Sequence, residues 1–273
     1  MVCSQPFRRR RDRRFGLDGG GSLQSRKAER ARKRVGILHS NASRLMMGGK
    51  YRAAKIAFEA ALRAAYKARG SHPELLAAVL NDFAVLWKYT GRHAVAERMY
   101  LRALRIVTSA EPPEPNSLAT VYHNLAGISF ATGRYGAALR RARRGIEIRK
   151  AARPLDRLAL ACDEAAFAAI LAESGKEAEA QKLLCSALRF FRRRLGPRHY
   201  EVGAALANLS VLHWRSGRTA AAKRALSSSI SILNRALGKG HPRAAAAIRN
   251  LATIEAKTGS WPMMPLNRRV RKS

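Results

Sequence analysis

Apolar and polar positions along this chain repeat on two scales. Locally, apolar residues recur at three- and four-residue spacing, the mark of one helix face turned to a core. Globally, the whole pattern returns every 42 residues: the segment Thr90-Gly91-Arg92-His93-Ala94-Val95-Ala96-Glu97 has its glycine matched at Gly49, Gly133, Gly175, Gly217 and Gly259. A second column of helix breakers stands 21 residues after each of the first five, at Gly70, Pro112, Pro154, Gly196 and Gly238. Glycine suits the left-handed residue that ends a helix, and proline cannot continue one. Each period therefore predicts two helices of about 17 residues, roughly 26 Å long, folded as a hairpin.

The columns also predict the core. Ala54, Ala96, Ala138, Ala180 and Ala222 follow the glycines by five residues, and Ala61, Ala103, Gly145, Ala187 and Ser229 follow by twelve. Large residues stand between and beyond them, at Phe58, Tyr100, Leu184 and Leu226 and at Leu62, Leu104, Ile146, Leu188 and Ile230. In the first helix of each pair, Phe83, Leu125, Phe167, Leu209 and Leu251 are large, and their neighbours Ala84, Ala126, Ala168, Ser210 and Ala252 are small. Small residues let helices approach closely while large ones fill the grooves. The expectation is an all-α, right-handed superhelical solenoid of antiparallel helix hairpins. Its divisions are a disordered basic arm at 1–25, five hairpins and a C-terminal capping helix over 26–258, and a basic tail at 259–273.

Composition agrees with this. The chain is 47% hydrophobic but only 7% aromatic, so its apolar content leans on alanine, the best helix former. Charge adds something the pattern does not contain. There are 53 Lys and Arg against 18 Asp and Glu, a net charge of +35. Residues 1–34 carry +9 of this and residues 259–273 carry +4, so most of the excess belongs to the repeats. Such a field favours acidic partners, nucleic acid or anionic surfaces. No run approaches the roughly 18 apolar residues of a membrane span, and a cytoplasmic location is the expectation.

The stretch from Leu80-Asn81-Asp82-Phe83-Ala84 to Tyr100-Leu101-Arg102-Ala103-Leu104 resembles the tetratricopeptide repeat, with large and small residues before a turn glycine and small ones after it. The usual unit has about 34 residues, and the longer spacing here is similar to that of kinesin light chains. Leu195-Gly196-Pro197-Arg198-His199 and Leu237-Gly238-Lys239-Gly240-His241-Pro242 look like that subtype's loop between repeats. The resemblance implies a non-enzymatic scaffold that binds a peptide or protein segment, acidic in composition, in a concave groove. It also implies that the residue nine before each glycine faces that groove.

In this chain that column includes Asp82, Asn124, Asn208 and Asn250, and the neighbouring channel positions hold Asn81, Lys88, His123, Phe130, Trp214 and Arg249. An amide side chain offers both donor and acceptor, as an extended peptide backbone requires. The competing reading is that these groups bond and pack between successive helices of the solenoid. A second candidate surface is cationic. It combines Arg8, Arg9, Arg10 and Arg11 of the arm with a ladder of Arg98, Arg140, Arg141, Arg143, Arg144, Lys182 and Arg224. A basic scaffold binding nucleic acid or another polyanion through these residues is the alternative function.

Catalysis has no comparable support. The seven histidines are scattered, and no His-Glu-x-x-His pair, phosphate-cradling loop or nucleophile elbow occurs. Asp163, Glu164 and Glu173 share a helix and read as its polar face. The three cysteines lack metal-ligand spacing. No catalytic residue, metal, cofactor or small-molecule substrate is expected.

Overall fold

The structure, a computed structural model, describes residues 23–256. Nearly all of the expected arm and the whole of the expected tail lie outside the described residues, and with them Arg8, Arg9, Arg10 and Arg11. Residues 23–25, assigned to the arm by composition, instead open the first helix.

The described residues form eleven helices and fall into two compact units, 23–121 and 122–256. The first unit holds α1 (Leu23–Met47), α2 (Tyr51–Ala68), α3 (Pro73–Tyr89) and α4 (His93–Thr108). Helix α5 (Pro115–Ala131) runs across the division. The second unit continues with α6 (Tyr135–Ala151), α7 (Arg157–Glu173), α8 (Glu177–Leu195), α9 (Tyr200–Arg215), α10 (Thr219–Leu237) and α11 (Pro242–Glu255).

The glycine column sits at the turn inside each pair. Gly49, Gly91, Gly133, Gly175 and Gly217 have φ between 71° and 77°, the left-handed region. At Gly91 the consequence is complete: its N–H bonds the Lys88 carbonyl at 3.1 Å, and the Arg92 N–H bonds the Trp87 carbonyl at 2.8 Å. This pairing closes a helix by satisfying its last carbonyls, and a side chain at residue 91 would oppose the required φ. The breaker column sits between pairs, as its proline and glycine content requires.

Packing follows the columns. Ala54, Ala96, Ala138, Ala180 and Ala222 are each fully buried, and so are Phe58, Tyr100 and Leu226. In the first unit Phe58 stacks on Phe83 with ring centres 5.2 Å apart, and Phe83 on Trp87 at 5.4 Å. Truncating Phe58 to alanine would cost about 3–5 kcal/mol, through lost burial and the cavity left. In the second unit Gly203 marks a close approach of α9 to α10: a Cβ there would lie 3.0 Å from Leu233 Cγ. Ser229 uses the same proximity, its hydroxyl donating to the Gly203 carbonyl at 2.7 Å.

Two layers result. In the first unit α3 packs on α2 and α4 and touches α1; in the second, α7 touches α9 and α9 touches α11. Within each unit the first helices of successive pairs thus meet one another, and α1, α3, α7 and α9 are each also packed on their own second helix. The column of small residues ends with α11, where Ala252 is exposed while its equivalents Ala84, Ala126, Ala168 and Ser210 are buried.

Candidate functional site

The expected groove column lies on the layer of first helices, and most of it is sealed. Asn81, Asp82 and Lys88 on α3, His123, Asn124 and Phe130 on α5, and Asn250 on α11 are all buried. Asn208 and Trp214 on α9 and Arg249 on α11 are half-buried.

The reason is visible in the first unit. The Asp82 carboxylate faces His39 Nε2 of α1 at 2.9 Å, and Ser43 Oγ of the same helix donates to it at 3.4 Å. Asn81 Nδ2 donates to its other oxygen at 3.0 Å. A carboxylate taken out of water needs such donors, and here two of the three come from the neighbouring pair's first helix. Asp82 therefore ties α3 to α1.

A second link lies wholly in the other unit. His123 Nδ1 of α5 stands 2.8 Å from Asp163 Oδ1 of α7, and Arg149 Nε of α6 donates to the second oxygen of Asp163. All three side chains are buried. The cavity beside them, lined by His123, Ala142, Gly145, Asp163 and Ile170, measures about 10 Å³, room for about one water. Asp163, read from sequence as a polar helix face, is instead the acceptor of a buried three-helix junction. A third link, Arg215 of α9 to Glu173 and to the Ala172 carbonyl at the end of α7, joins α7 to the next first helix.

Of the expected groove residues, those that stay partly accessible lie on α9 and α11. Trp214 packs one side against the apolar cluster around Leu226 and Leu233. Ile248, beside Arg249, is 47% exposed. Phe130 belongs to the core and meets Tyr135 edge-on at 5.6 Å, so it offers no open ring.

On the layer of second helices Arg98, Arg140, Arg143, Arg144, Lys182 and Arg224 are exposed as the ladder requires. Arg141 departs from it. Its guanidinium turns inward, donating to Ser129 Oγ at 2.6 Å and to the Leu125 carbonyl at 3.4 Å, and so clamps α6 to α5.

Two histidines do work that the columns concealed. His199 and His241 precede α9 and α11, and each Nδ1 accepts a helix-opening N–H at 3.2 Å, from Glu201 and Arg243 respectively. The neutral ring is required for this acceptance. Burial, with a smaller push from Arg243, takes the His241 imidazole down to about 4. Burial also lowers His199, against the opposing charge of Glu201, and lowers His213, where Arg218 and Arg224 add to the effect. The repeated Gly-x-x-His at 196–199 and 238–241 was the sequence signal for these caps.

Among the described residues no group of three or more His, Cys, Asp or Glu side chains is placed to hold a metal, and no helix is long and apolar enough to cross a membrane. The acid–base pairs of Asp82, Asp163 and Glu173 tie helices together.

Paired helices that turn at a left-handed glycine every 42 residues define a helical-hairpin repeat protein, a class that works through its surfaces. The model of the tetratricopeptide repeat matches residues 75–151 and 158–235, and the chain belongs to that family. No curated protein matches the sequence. Among solved structures, the chain is similar to a putative kinesin light chain from Podosopora anserina, with nearly identical TPR-like repeats, at 18% identity and a TM-score of 0.54 over 74% of this chain and 95% of that one. It is similar to BtubC (BKLC) from P. vanneervenii at 21% identity and 0.52, covering 88% and 97%. It is also similar to the apo form of RapI at 15% identity and 0.58, covering 83% and 78%. The repeats are thus tetratricopeptide repeats whose fold is like that of the kinesin light chain structures, and the family typically serves as a protein-interaction scaffold.

Proposed function

We propose that the chain is a non-enzymatic adaptor that holds an extended peptide segment against the first-helix layer, and that α9 and α11 carry the contact. The supporting observation is the contrast in exposure among the expected groove residues. Asn81, Asn124 and Asn250 are buried within the fold, whereas Asn208, Trp214 and Arg249 keep part of their surface open beside exposed Ile248. An amide can pair with a peptide backbone, an indole and an isoleucine offer apolar contact, and an arginine meets a carboxylate. The partner that fits is a segment mixing acidic and apolar residues.

The test begins with peptides selected from a random library on the full chain. Asn208→Ala combined with Arg249→Ala should weaken a selected peptide about tenfold or more, a loss of roughly 1.4 kcal/mol, with helicity unchanged. Replacing Asn124, by contrast, should lower stability before it lowers affinity. Peptides whose binding ignores Asn208, Trp214 and Arg249 alike would sink the reading.

A further inference from the structure

The opposite layer carries a regularity finer than the single ladder. On the second helix of each pair the buried or half-buried core positions fall five, nine, twelve, thirteen and sixteen residues after the glycine. With 100° per residue, the outward line is then seven, eleven, fourteen and eighteen after it. In the unit spanning 122–256 those positions hold Arg140 and Arg144 on α6, Lys182, Arg189 and Arg193 on α8, and Arg224 and Arg235 on α10, with Glu147, Ala151, Ser186, Ser228 and Ser231 at the rest, and every one is exposed. The carboxylate among them, Glu147, stands 3.5 Å from Arg144. Each line is about 16 Å long at 1.5 Å per residue.

Among the other acids of the same unit, Glu179 on α8 and Glu255 on α11 are exposed, while four are engaged elsewhere. Asp156 accepts the first N–H groups of α7, Asp163 is buried under His123 and Arg149, Glu173 pairs with Arg215, and Glu201 is buried. The three outward lines themselves thus carry seven cations against one carboxylate. Arg140 with Arg144, and Arg189 with Arg193, are like charges four residues apart, an arrangement that repels within a helix. A polyanion laid along the face would relieve that repulsion.

From this geometry we infer that the outward lines of α6, α8 and α10 form a docking surface for double-stranded nucleic acid, read through its phosphates. Six of the seven cations are arginine, whose planar fork matches a phosphate. The lines carry no aromatic side chain, so they lack the stacking platform that single strands use. They also carry no large apolar side chain: the exposed ones in this unit are Leu155 and Ile248, on neither α6, α8 nor α10, and a membrane surface would have no anchor to receive. Base contacts play no part, so binding is independent of sequence.

The experiment titrates the full chain into a short fluorescent DNA duplex at several salt concentrations and follows anisotropy. Affinity should fall linearly with salt on logarithmic axes, by about 0.9 in slope per phosphate contact. Lys182→Glu, Arg189→Glu, Arg193→Glu and Arg224→Glu together should weaken binding by about a hundredfold and cut that slope. These side chains are exposed, and circular dichroism checks the fold. A control variant reverses Lys27, Arg34, Lys50 and Arg52, which are equally exposed and equal in charge; it should lose far less. Equal losses in the two variants, a salt-independent affinity in the unmodified chain, or tighter binding to single strands or to phosphatidylserine vesicles would each overturn the assignment. Peptide binding at α9 and α11 should survive the four reversals, so the two surfaces can fail separately.

Discussion

Two polar junctions, one in each unit, answer the same structural need with different chemistry. His39 and His123 occupy the same place in their repeats, ten residues before the turn glycine, and each meets a carboxylate of the next pair's first helix. In the unit 23–121 the carboxylate is Asp82, held by an imidazole, a hydroxyl and an amide. In the unit 122–256 it is Asp163, three residues earlier in the repeat, and a buried guanidinium from α6 joins it. The first junction is a set of hydrogen bonds between two neighbouring helices; the second is an ion pair within a three-helix contact. The period fixes where a polar link can form, and the non-repeating residues decide how strong it is.

The sharpest way to break the comparison is to remove the acceptor from each. Asp163→Ala strands the buried Arg149 charge and should cost about 3–5 kcal/mol in chemical denaturation. Asp82→Ala leaves behind uncharged or partly solvated donors, and should cost about 1–3 kcal/mol. Equal losses would show that Arg149 adds nothing to the second junction. A smaller effect tests how well the small-residue columns pack: Ala96→Leu in the first unit should overpack its crossing by about 1–3 kcal/mol, read as a lower denaturation midpoint.

Acid should also separate the units. His241 titrates near 4 when folded and near 6.5 when unfolded, so the unfolded chain binds more protons between those values. Its contribution is complete above about pH 6.5 and is lost as pH falls towards 4. His199, lowered in the same direction, adds to the loss. His72, at the equivalent place before α3, makes no side-chain cap. Hydrogen exchange should therefore show α11 opening before α3 as pH falls, and His241→Asn, which keeps an acceptor that does not titrate, should remove that difference.

The fold was legible because it is periodic. A column sampled five times averages out local accident, and Ala54 through Ala222 could be placed without knowing any partner. The candidate site was legible only as a helix face. Asn124, Asn208 and Asn250 share a column, yet whether each one meets solvent or a neighbouring helix depends on the packing around it. Arg149 and Asp163 could not be paired from the repeat, since they belong to different columns on different helices. Arg141 shows the converse: its sequence neighbours Arg140 and Arg143 face solvent, and a turn of 100° alone carries it to Ser129. Charge runs predict exposure on average, and helix phase decides it for each residue.

The links between first helices have one more consequence. His39 with Asp82, His123 with Asp163 and Arg215 with Glu173 each join one particular repeat to one particular neighbour. Hairpins that look interchangeable by their alanines and glycines are not. Deleting one full period, or exchanging two, would preserve every apolar column while setting an acid against the wrong helix. The order of the repeats is thus specified by polar pairs that the repeat itself does not encode, so a chain lengthened by simple duplication would have to acquire new pairs before its added units were held as firmly as the old ones.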